Sequence, residues 1–152
     1  MNTVAVRQAV AADIDALSGL FDQYRQFQGK SADLATCRKF LSDRFDRGES
    51  TVFMATLLGV AVGFAQLYPS FSSTALERVL ILNDVYVVET GRRLGVGTAL
   101  LAAVEAHAFS IRACRVSLNV AQNNHSAQKL YAANGWGLDR EFLMYHHHPL
   151  KV

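Results

Sequence analysis

The sequence predicts one mixed α/β domain in which helices flank a sheet. Segments with strand composition alternate with segments of helical spacing along the whole chain, and the strands outnumber the helices. In mid-chain, a glycine-containing basic turn joins an apolar strand to an Ala- and Leu-rich helix. A length of 152 residues suits a single hydrophobic core, so we expect one domain over residues 1–152.

Composition excludes several classes of protein. Hydrophobic residues make up 51% of the chain and charged residues 18%, which indicates a folded rather than a disordered protein. The chain has no run of about eighteen apolar residues, and its N-terminal stretch lacks a secretory signal pattern. We therefore expect a cytoplasmic protein without a membrane partner. The net charge of +2 is too small to predict binding to nucleic acid.

Cysteine and histidine spacing predicts no metal site. Cys37 and Cys114 lie far apart in apolar helical contexts, so we expect reduced thiols in neither a zinc nor a redox motif. Three consecutive histidines, 146–148, fall in a predicted terminal strand. Neighbouring side chains of a strand point to opposite faces, so such a run is a poor chelate.

A first strand and a first helix are predicted at the start of the chain. Residues 3–9 alternate apolar and polar side chains as a strand does. Asp13 is the predicted N-cap of a helix that reaches about Phe27 and is ended by Gly29. One face of this helix is apolar and consists of Ile14, Leu17, Phe21 and Tyr24.

A second helix follows directly. It is predicted to begin at Ser31 or Asp33 and to end at Gly48. The residues expected to face inward are Leu34, Cys37, Leu41 and Phe45.

The pattern then changes to that of a β-hairpin. Residues 51–57 and 60–68 read as two strands joined by a tight turn at 58–59. Pro69 is predicted to end the second strand, because proline cannot donate a ladder hydrogen bond. Residues 70–77 are then expected to form a loop.

The second half begins with an apolar strand at 79–88, followed by the basic turn and a helix from about residue 98 to 111. Residues 115–121 alternate as a strand, and the strand–helix–strand unit is expected to be a parallel crossover. A short helix at 124–133 and one or two strands within 136–147 complete the prediction of six to seven strands and four helices.

The basic turn has the features of an anion site. Backbone N–H groups in the first turn of a helix have no intrahelical acceptor, and the helix dipole there favours negative charge. Gly95 and Gly97 let a ligand approach the backbone, and Arg92 and Arg93 add positive charge. A phosphate or pyrophosphate ligand is predicted, although glycines here can also serve the turn alone. The Gly-Lys-Ser/Thr sequence of a Walker A loop is absent. The G-x-G-x-x-G dinucleotide motif is also absent, because Leu100 stands where its third glycine would be.

Two motifs in order resemble a known family. Arg92, Gly95 and Gly97 fit Arg-x-x-Gly-x-Gly, and a later stretch fits Asn-x-x-Ala-x-x-Leu/Phe-Tyr-x-x-x-Gly-aromatic. The matching positions of the second motif are Asn124, Ala127, Leu130, Tyr131, Gly135 and Trp136. The chain is similar to the GNAT superfamily of N-acetyltransferases over nearly its whole length. The resemblance implies a mixed, mostly antiparallel sheet.

The resemblance also implies a binding site for acetyl-CoA, and it implies no metal site. In GNAT proteins coenzyme A lies where the central strand and the next strand splay apart, often beside a β-bulge. Backbone groups of the central strand pair with the pantetheine arm, and the following turn holds the pyrophosphate. The implied cofactor contacts are Val85, Tyr86, Val87, Arg92, Arg93, Leu94, Gly95, Val96, Gly97, Thr98 and Asn124.

The implied reaction is direct attack of a neutral amine on a thioester. Tyr131 has the family's position for the general acid that protonates the departing thiolate, and the N–H of Val87 would stabilise the developing oxyanion. Some relatives read Glu-Asp-x-x-Val along the central strand, where this chain has Asn83 and then Asp84. Asn83 cannot be a base, so Asp84 acting through water is our candidate and Glu89 is the second choice.

The acceptor is expected to be a small primary amine. In the resembled fold Tyr24, Arg25, Tyr68 and Asn83 are placed on the acceptor side. A protein or peptide amine, or a non-catalytic acyl-CoA sensor, remains an alternative, and a homodimer is the family habit. Structural roles also stay open: Tyr131 could pack its helix against the sheet, Asn124 could serve only as an N-cap and Asp84 could bond a loop.

Overall fold

The computed structural model describes residues 3–150. Two compact units are found, Met1–Val120 and Ala121–Val152. The first unit contains β1 (Val4–Gln8), α1 (Ile14–Phe27), α2 (Leu34–Asp46), β2 (Thr51–Leu57), β3 (Val60–Ser72), β4 (Glu77–Val87), α3 (Val96–Ser110) and β5 (Arg115–Ser117). The second unit contains α4 (His125–Ala133). The predicted order of elements is confirmed from the first strand to the last helix.

The sheet has the order β1-β2-β3-β4-β5. Neighbours are antiparallel from β1 to β4, and β5 runs parallel to β4, which confirms a mixed, mostly antiparallel sheet. The sheet has five strands, not six or seven. The predicted strand 115–121 is only three residues long, Arg115–Ser117.

The strands predicted within 136–147 are absent from the described part of the chain. Asp139 Oδ1 accepts hydrogen bonds from the N–H groups of Glu141 and Phe142, at 2.9 and 3.1 Å. A side chain that bonds nearby backbone in this way competes with ladder formation. The three histidines at 146–148 therefore do not lie in a strand, and the alternation argument used for them does not apply.

Aspartates stand at the N-caps of both α1 and α2, but only one of them caps its helix with its side chain. Asp33 Oδ1 accepts a hydrogen bond from Thr36 N at 3.2 Å, which identifies Asp33 rather than Ser31 as the cap of α2. Asp13 stands at the predicted N-cap of α1, but its side chain makes no capping bond. Its carboxylate instead accepts from both terminal nitrogens of Arg7, each at 2.7 Å. Leu34 is 54% exposed, so its predicted inward position is wrong; it is the first residue of α2.

Pro69 does not end β3, and the predicted loop shrinks to a turn at 73–76. Pro69 lies opposite Leu80 of β4. On the other side, β2 pairs with β3 only as far as Leu67, which is opposite Thr51. At residue 69 β3 is therefore an edge strand on that side, and a missing N–H removes no ladder bond.

The two faces of the sheet are covered by different helices. On one face, α1 and α2 pack on a cluster of buried residues: Ala9, Ile14, Leu17, Leu20, Leu41, Val52, Met54 and Phe64. On the other face lies α3, where the Phe53 ring is 5.6 Å from that of His107. A Cβ at Gly63 would come within 2.8 Å of the Tyr86 carbonyl oxygen and 3.3 Å of Val96. The missing side chain at Gly63 thus lets α3 approach β3 closely.

Within residues 3–150, no helix has the length and apolar character needed to cross a membrane.

Candidate active site

β4 changes its pairing at Asn83. Gln66 lies opposite Asp84, but the next residue of β3, Leu67, lies opposite Leu82. Asn83 is therefore the extra residue of a β-bulge. On the other edge of β4, pairing with β5 ends at Ile81. Among the described residues, β4 beyond the bulge has a strand neighbour on one side only, as the resemblance predicted.

The unpaired edge of β4 carries the backbone groups of Val85 and Val87. Val88 N donates to Val62 O of β3 at 2.9 Å, and successive residues of a strand direct their N–H and C=O to opposite sides. Val85 and Val87 therefore face the open edge, where the Val87 carbonyl accepts from Arg92 Nε at 3.1 Å. Tyr86 faces β3 instead, so the prediction of a backbone contact from Tyr86 to the cofactor gains no support.

The turn after β4 forms a concave set of N–H groups. Arg93 and Gly95 have left-handed backbone, with φ of 62° and 81°. Gly95 is the N-cap of α3, and no side chain caps this helix. Val96 and Gly97 start the helix two residues earlier than predicted, and their N–H groups have no acceptor among the described residues. Alternating left-handed residues and free amides make a backbone nest for an anion.

Space is available at this nest. A Cβ built on Gly95 would meet no atom within 4 Å, so a bound group can come close to the backbone. The side chains of Arg93 and Leu94 are exposed, as is Thr98 in the first turn of α3. The Arg92 guanidinium lies over the Phe27 ring at 5.3 Å, which holds one positive charge beside the end of β4. These residues fit a pyrophosphate group.

Asp84 is the buried carboxylate of the first unit's sheet, 6% exposed and beside the bulge. Its Oδ2 accepts from Gln66 Nε2 at 2.9 Å and its Oδ1 from Asn83 Nδ2 at 3.2 Å. The Tyr24 hydroxyl also hydrogen-bonds to it. Burial raises the pKa of Asp84 above its ordinary value, although the three hydrogen bonds act in the opposite direction. Such a carboxylate can accept a proton more readily than an exposed one.

Three of the four predicted acceptor residues surround this carboxylate. Tyr24 and Asn83 hydrogen-bond to it. The pKa of Tyr68 is raised to about 12, mainly by burial and in smaller part by the negative charge of Asp84. Arg25 is not in this group. It lies near Cys37 of α2, where burial raises the pKa of the thiol and the Arg25 guanidinium acts to lower it.

Sequence reasoning missed Gln66. This residue is fully buried at 0% exposure, and its Oε1 has no hydrogen-bond partner among the described residues. The available signal was a single amide within the otherwise apolar run 60–68, at the same strand parity as Phe64. A polar residue at an inward position of a buried strand indicates a bonded partner, which here is Asp84.

The second unit contains Asn124 and Tyr131. Asn124 Oδ1 caps α4 by accepting from Ala127 N at 3.1 Å. The Tyr131 ring lies 5.9 Å from that of Trp136, and burial raises the pKa of the Tyr131 phenol. This phenol is therefore protonated at neutral pH, which is the state that a general acid requires. Gly135, with φ of 86°, ends the helix as predicted.

The remaining candidates stand apart from these groups. Glu89 is an exposed residue in a short 3-10 turn, Glu89–Gly91. Cys37 is buried and Cys114 exposed, and both are free thiols. No group of three or more His, Cys, Asp or Glu residues that could hold a metal ion occurs within residues 3–150.

Comparison with known proteins identifies the family of the chain. The profile described as "Acetyltransferase (GNAT) family" matches residues 15–136. The "Uncharacterized N-acetyltransferase YhfO" of Bacillus subtilis is 39% identical over 140 residues, which cover 92% of this chain and 94% of that protein. The "D-amino-acid N-acetyltransferase HPA3" of Saccharomyces cerevisiae is 28% identical over 90% of this chain and 87% of its own length.

Solved structures share the fold. A "probable acetyltransferase" superimposes with a TM-score of 0.91 and 38% identity, covering 97% of this chain and 99% of that one. The aminoglycoside N-acetyltransferase AAC(6')-Iy, solved in complex with CoA, superimposes with a TM-score of 0.81 at 20% identity, covering 97% and 96%. The chain belongs to the GNAT family of acetyltransferases, enzymes that use acetyl-CoA.

Proposed function

We propose that this enzyme acetylates the primary amine of a small molecule, with Asp84 as the base and Tyr131 as the general acid. The observation that carries the proposal is the bulge at Asn83. At this one position β4 leaves its edge open towards the nest on one side, and places a buried carboxylate on its α1–α2 face. A site for the amine acceptor and a site for the acyl carrier are thereby adjacent on one strand.

The chain's own groups can hold acetyl-CoA in two ways. The backbone N–H and C=O of Val85 face the open edge of β4 and are free to pair with an extended amide-bearing arm, next to the N–H of Val87. The nest at Arg93 and Gly95 can accept the pyrophosphate. When bound, the cofactor supplies an acetyl group already activated as a thioester.

Asp84 is suited to take a proton from an ammonium. An amine must lose a proton before it can attack, and the base needs a pKa closer to neutrality than an exposed carboxylate has. Burial supplies that change at Asp84. With 6% exposure, the carboxylate would act through a water molecule.

The N–H of Val87 can donate to the carbonyl oxygen of the acyl group as negative charge develops there. A fixed donor at this place stabilises that charge without reorganisation. Tyr131 would then deliver its phenolic proton to the departing sulfur, which is the role that the sequence motif gives it. Burial supports this role because it keeps the phenol protonated.

A small acceptor is favoured by two relatives. HPA3 is named a D-amino-acid N-acetyltransferase, and AAC(6')-Iy is solved with a bisubstrate analogue of CoA and acetylneamine. Both names specify an amine on a small molecule rather than on a protein.

The experiment combines acetyl-CoA binding with thiol release. Acetyl-CoA should bind in isothermal titration, and a panel of amines should release free CoA. Tyr131→Phe should bind acetyl-CoA as before and turn over about 10²- to 10⁴-fold more slowly, as expected for the loss of a general acid. Tyr145→Phe is the matched control, because Tyr145 lies in the same unit and is 85% exposed.

Three outcomes would oppose the proposal. Absence of acetyl-CoA binding would remove the cofactor assignment. Binding without CoA release for any amine would favour a sensor over an enzyme. Equal turnover of Tyr131→Phe and the wild-type chain would remove the general-acid role alone.

A further inference from the structure

A cavity of about 600 Å³ lies between the C-terminal half of α2 and β3. It is open to solvent on one side. Its lining consists of Phe40, Arg44, Gly48, Glu49, Tyr68 and Pro69. The lining thus combines one cation, one anion, one phenol and two apolar rings.

The cavity adjoins Asp84 through Tyr68. Gln66 and Tyr68 are two residues apart on β3, so their side chains share the face that is covered by α1 and α2. Gln66 bonds to Asp84 at 2.9 Å. The negative charge of Asp84 raises the pKa of Tyr68 while the positive charge of Arg44 acts to lower it, so both charges act on this phenol.

Arg44 is held in place with its donor edge unused. Its Nε donates to Glu49 Oε1 at 3.0 Å, and its guanidinium lies 4.5 Å from the centre of the Phe40 ring. The side chain is 21% exposed. Neither terminal nitrogen donates a hydrogen bond to a described residue. A guanidinium fixed in this manner presents two parallel N–H groups, the arrangement that binds a carboxylate most strongly.

We propose that this cavity recognises the carboxylate of an α-amino acid through Arg44, so that the acceptor of the reaction is an amino acid with an apolar or aromatic side chain. The inference rests on the proposed function, since the ammonium of the same molecule is placed towards Asp84. The terminal nitrogens of Arg44, which its Nε bond to Glu49 leaves without an acceptor, and the carboxylate of Asp84 match the two charges of a zwitterion. Phe40 and Pro69 provide apolar surface for the side chain.

The same charges disfavour other amines. A simple alkylamine would leave the terminal nitrogens of Arg44 without an acceptor. Specificity therefore depends on the carboxylate, and Arg44 is its determinant.

The test compares acceptors that differ only in this group. Phenylalanine, phenylalaninamide and phenethylamine share one side chain. The L and D forms of the first two are assayed separately. Methionine, methioninamide and the decarboxylated amine of methionine form a second set. We expect kcat/KM for the amino acid to exceed that for the amide and the amine by about 10-fold or more, the range for one charge-assisted pair.

Substitution of Arg44 then assigns the effect. Arg44→Gln should lower kcat/KM for the amino acid by about 10- to 100-fold, mainly through KM, and should change the value for phenethylamine by less than about 2-fold. Arg44→Lys should recover part of the loss, because it keeps the charge without the fork. Arg47→Gln is the matched control: it makes the same change at the C-cap of α2, outside the cavity lining.

The outcomes distinguish failure of this inference from failure of the proposed acetyltransferase function. If amines are acetylated but the carboxylate gives no advantage, or if Arg44→Gln affects all three acceptors alike, the inference is wrong and the enzyme assignment stands. If acetyl-CoA binds and no acceptor releases CoA, both the proposed function and the inference are overturned. Melting temperatures of all variants identify any loss that is due to unfolding.

Discussion

The two faces of the sheet differ in what they bury. The face under α3 is apolar, with Val96, Leu100, Leu101 and Val104 each exposed by 1% or less. The buried polar side chains that the structure describes belong to the α1–α2 side: Asp13, Ser18, Asp22, Gln66 and Asp84. One face therefore stabilises the fold, whereas the other also buries polar groups, and two of these, Gln66 and Asp84, form the proposed base and its partner. Substitutions on the two faces should separate stability from activity.

The largest effect is expected from Asp84→Asn. Loss of the base should lower kcat by about 10²- to 10⁴-fold while acetyl-CoA binding is retained. Folding should not suffer, because the amide oxygen can keep the bond from Gln66 Nε2 and the amide nitrogen can donate to the unpaired Gln66 Oε1. The bond from Asn83 is lost, but Asn83 is exposed and its amide can turn to water. We expect a gain of about 1 kcal/mol in unfolding free energy at pH 7, measured by urea titration.

The pH dependence gives this prediction its control. Because the folded pKa of Asp84 is raised above the unfolded value, its contribution to stability is fully present below the unfolded pKa and is lost as pH rises through the folded pKa. The stability difference between Asp84→Asn and the wild-type chain should thus be smallest below about pH 4 and widen as the pH rises. The acid limb of kcat/KM should disappear in the variant. A variant that is less stable than wild type at pH 7 and equally active would contradict the assignment.

Leu100→Ala tests the opposite face. Leu100 is fully buried, and one of its methyl groups would lie 3.4 Å from a Cβ at Gly63. Truncation leaves a cavity between α3 and β3 and should lower the unfolding free energy by about 2–5 kcal/mol. Turnover per folded molecule should change little at low temperature, as measured by active-site titration against CoA release. A large loss of kcat with normal stability would mean that α3 takes part in the chemistry.

The apolar face under α3 was easier to predict from sequence than the polar face under α1 and α2. Apolar periodicity located α3, because burial of an apolar face is what fixes such an element. The nest was predicted from Gly95 and Gly97 together with the basic residues before them. A left-handed Arg93 carries no sequence signal of its own, since arginine has no preference for that conformation.

The polar face was predicted less completely. Asp84, Asn83, Tyr24 and Tyr68 were chosen because a family motif or the predicted topology placed them near the acceptor. Their meeting around one carboxylate depends on the register between β3 and β4, and a bulge shifts that register by one residue. Gln66 was missed for this reason, because only the paired strands show what lies opposite it. The prediction of strands within 136–147 was wrong, because a local sequence pattern does not show whether a neighbouring strand is available for pairing.

The smallest effect is expected at the turn where the polar and apolar faces meet. Arg93 is strained by its positive φ, and Arg112 after α3 has nearly the same backbone, with φ of 58°. Arg93→Gly and Arg112→Gly each remove one exposed charge and relieve similar strain, so each should raise the unfolding free energy by about 0.5–1 kcal/mol. Only Arg93→Gly should weaken acetyl-CoA binding, by about 3- to 10-fold in isothermal titration, with a reduced dependence on salt. If both variants weaken binding equally, the charge acts at long range and the nest has no special role. If neither does, the pyrophosphate is held by backbone N–H groups without help from this side chain.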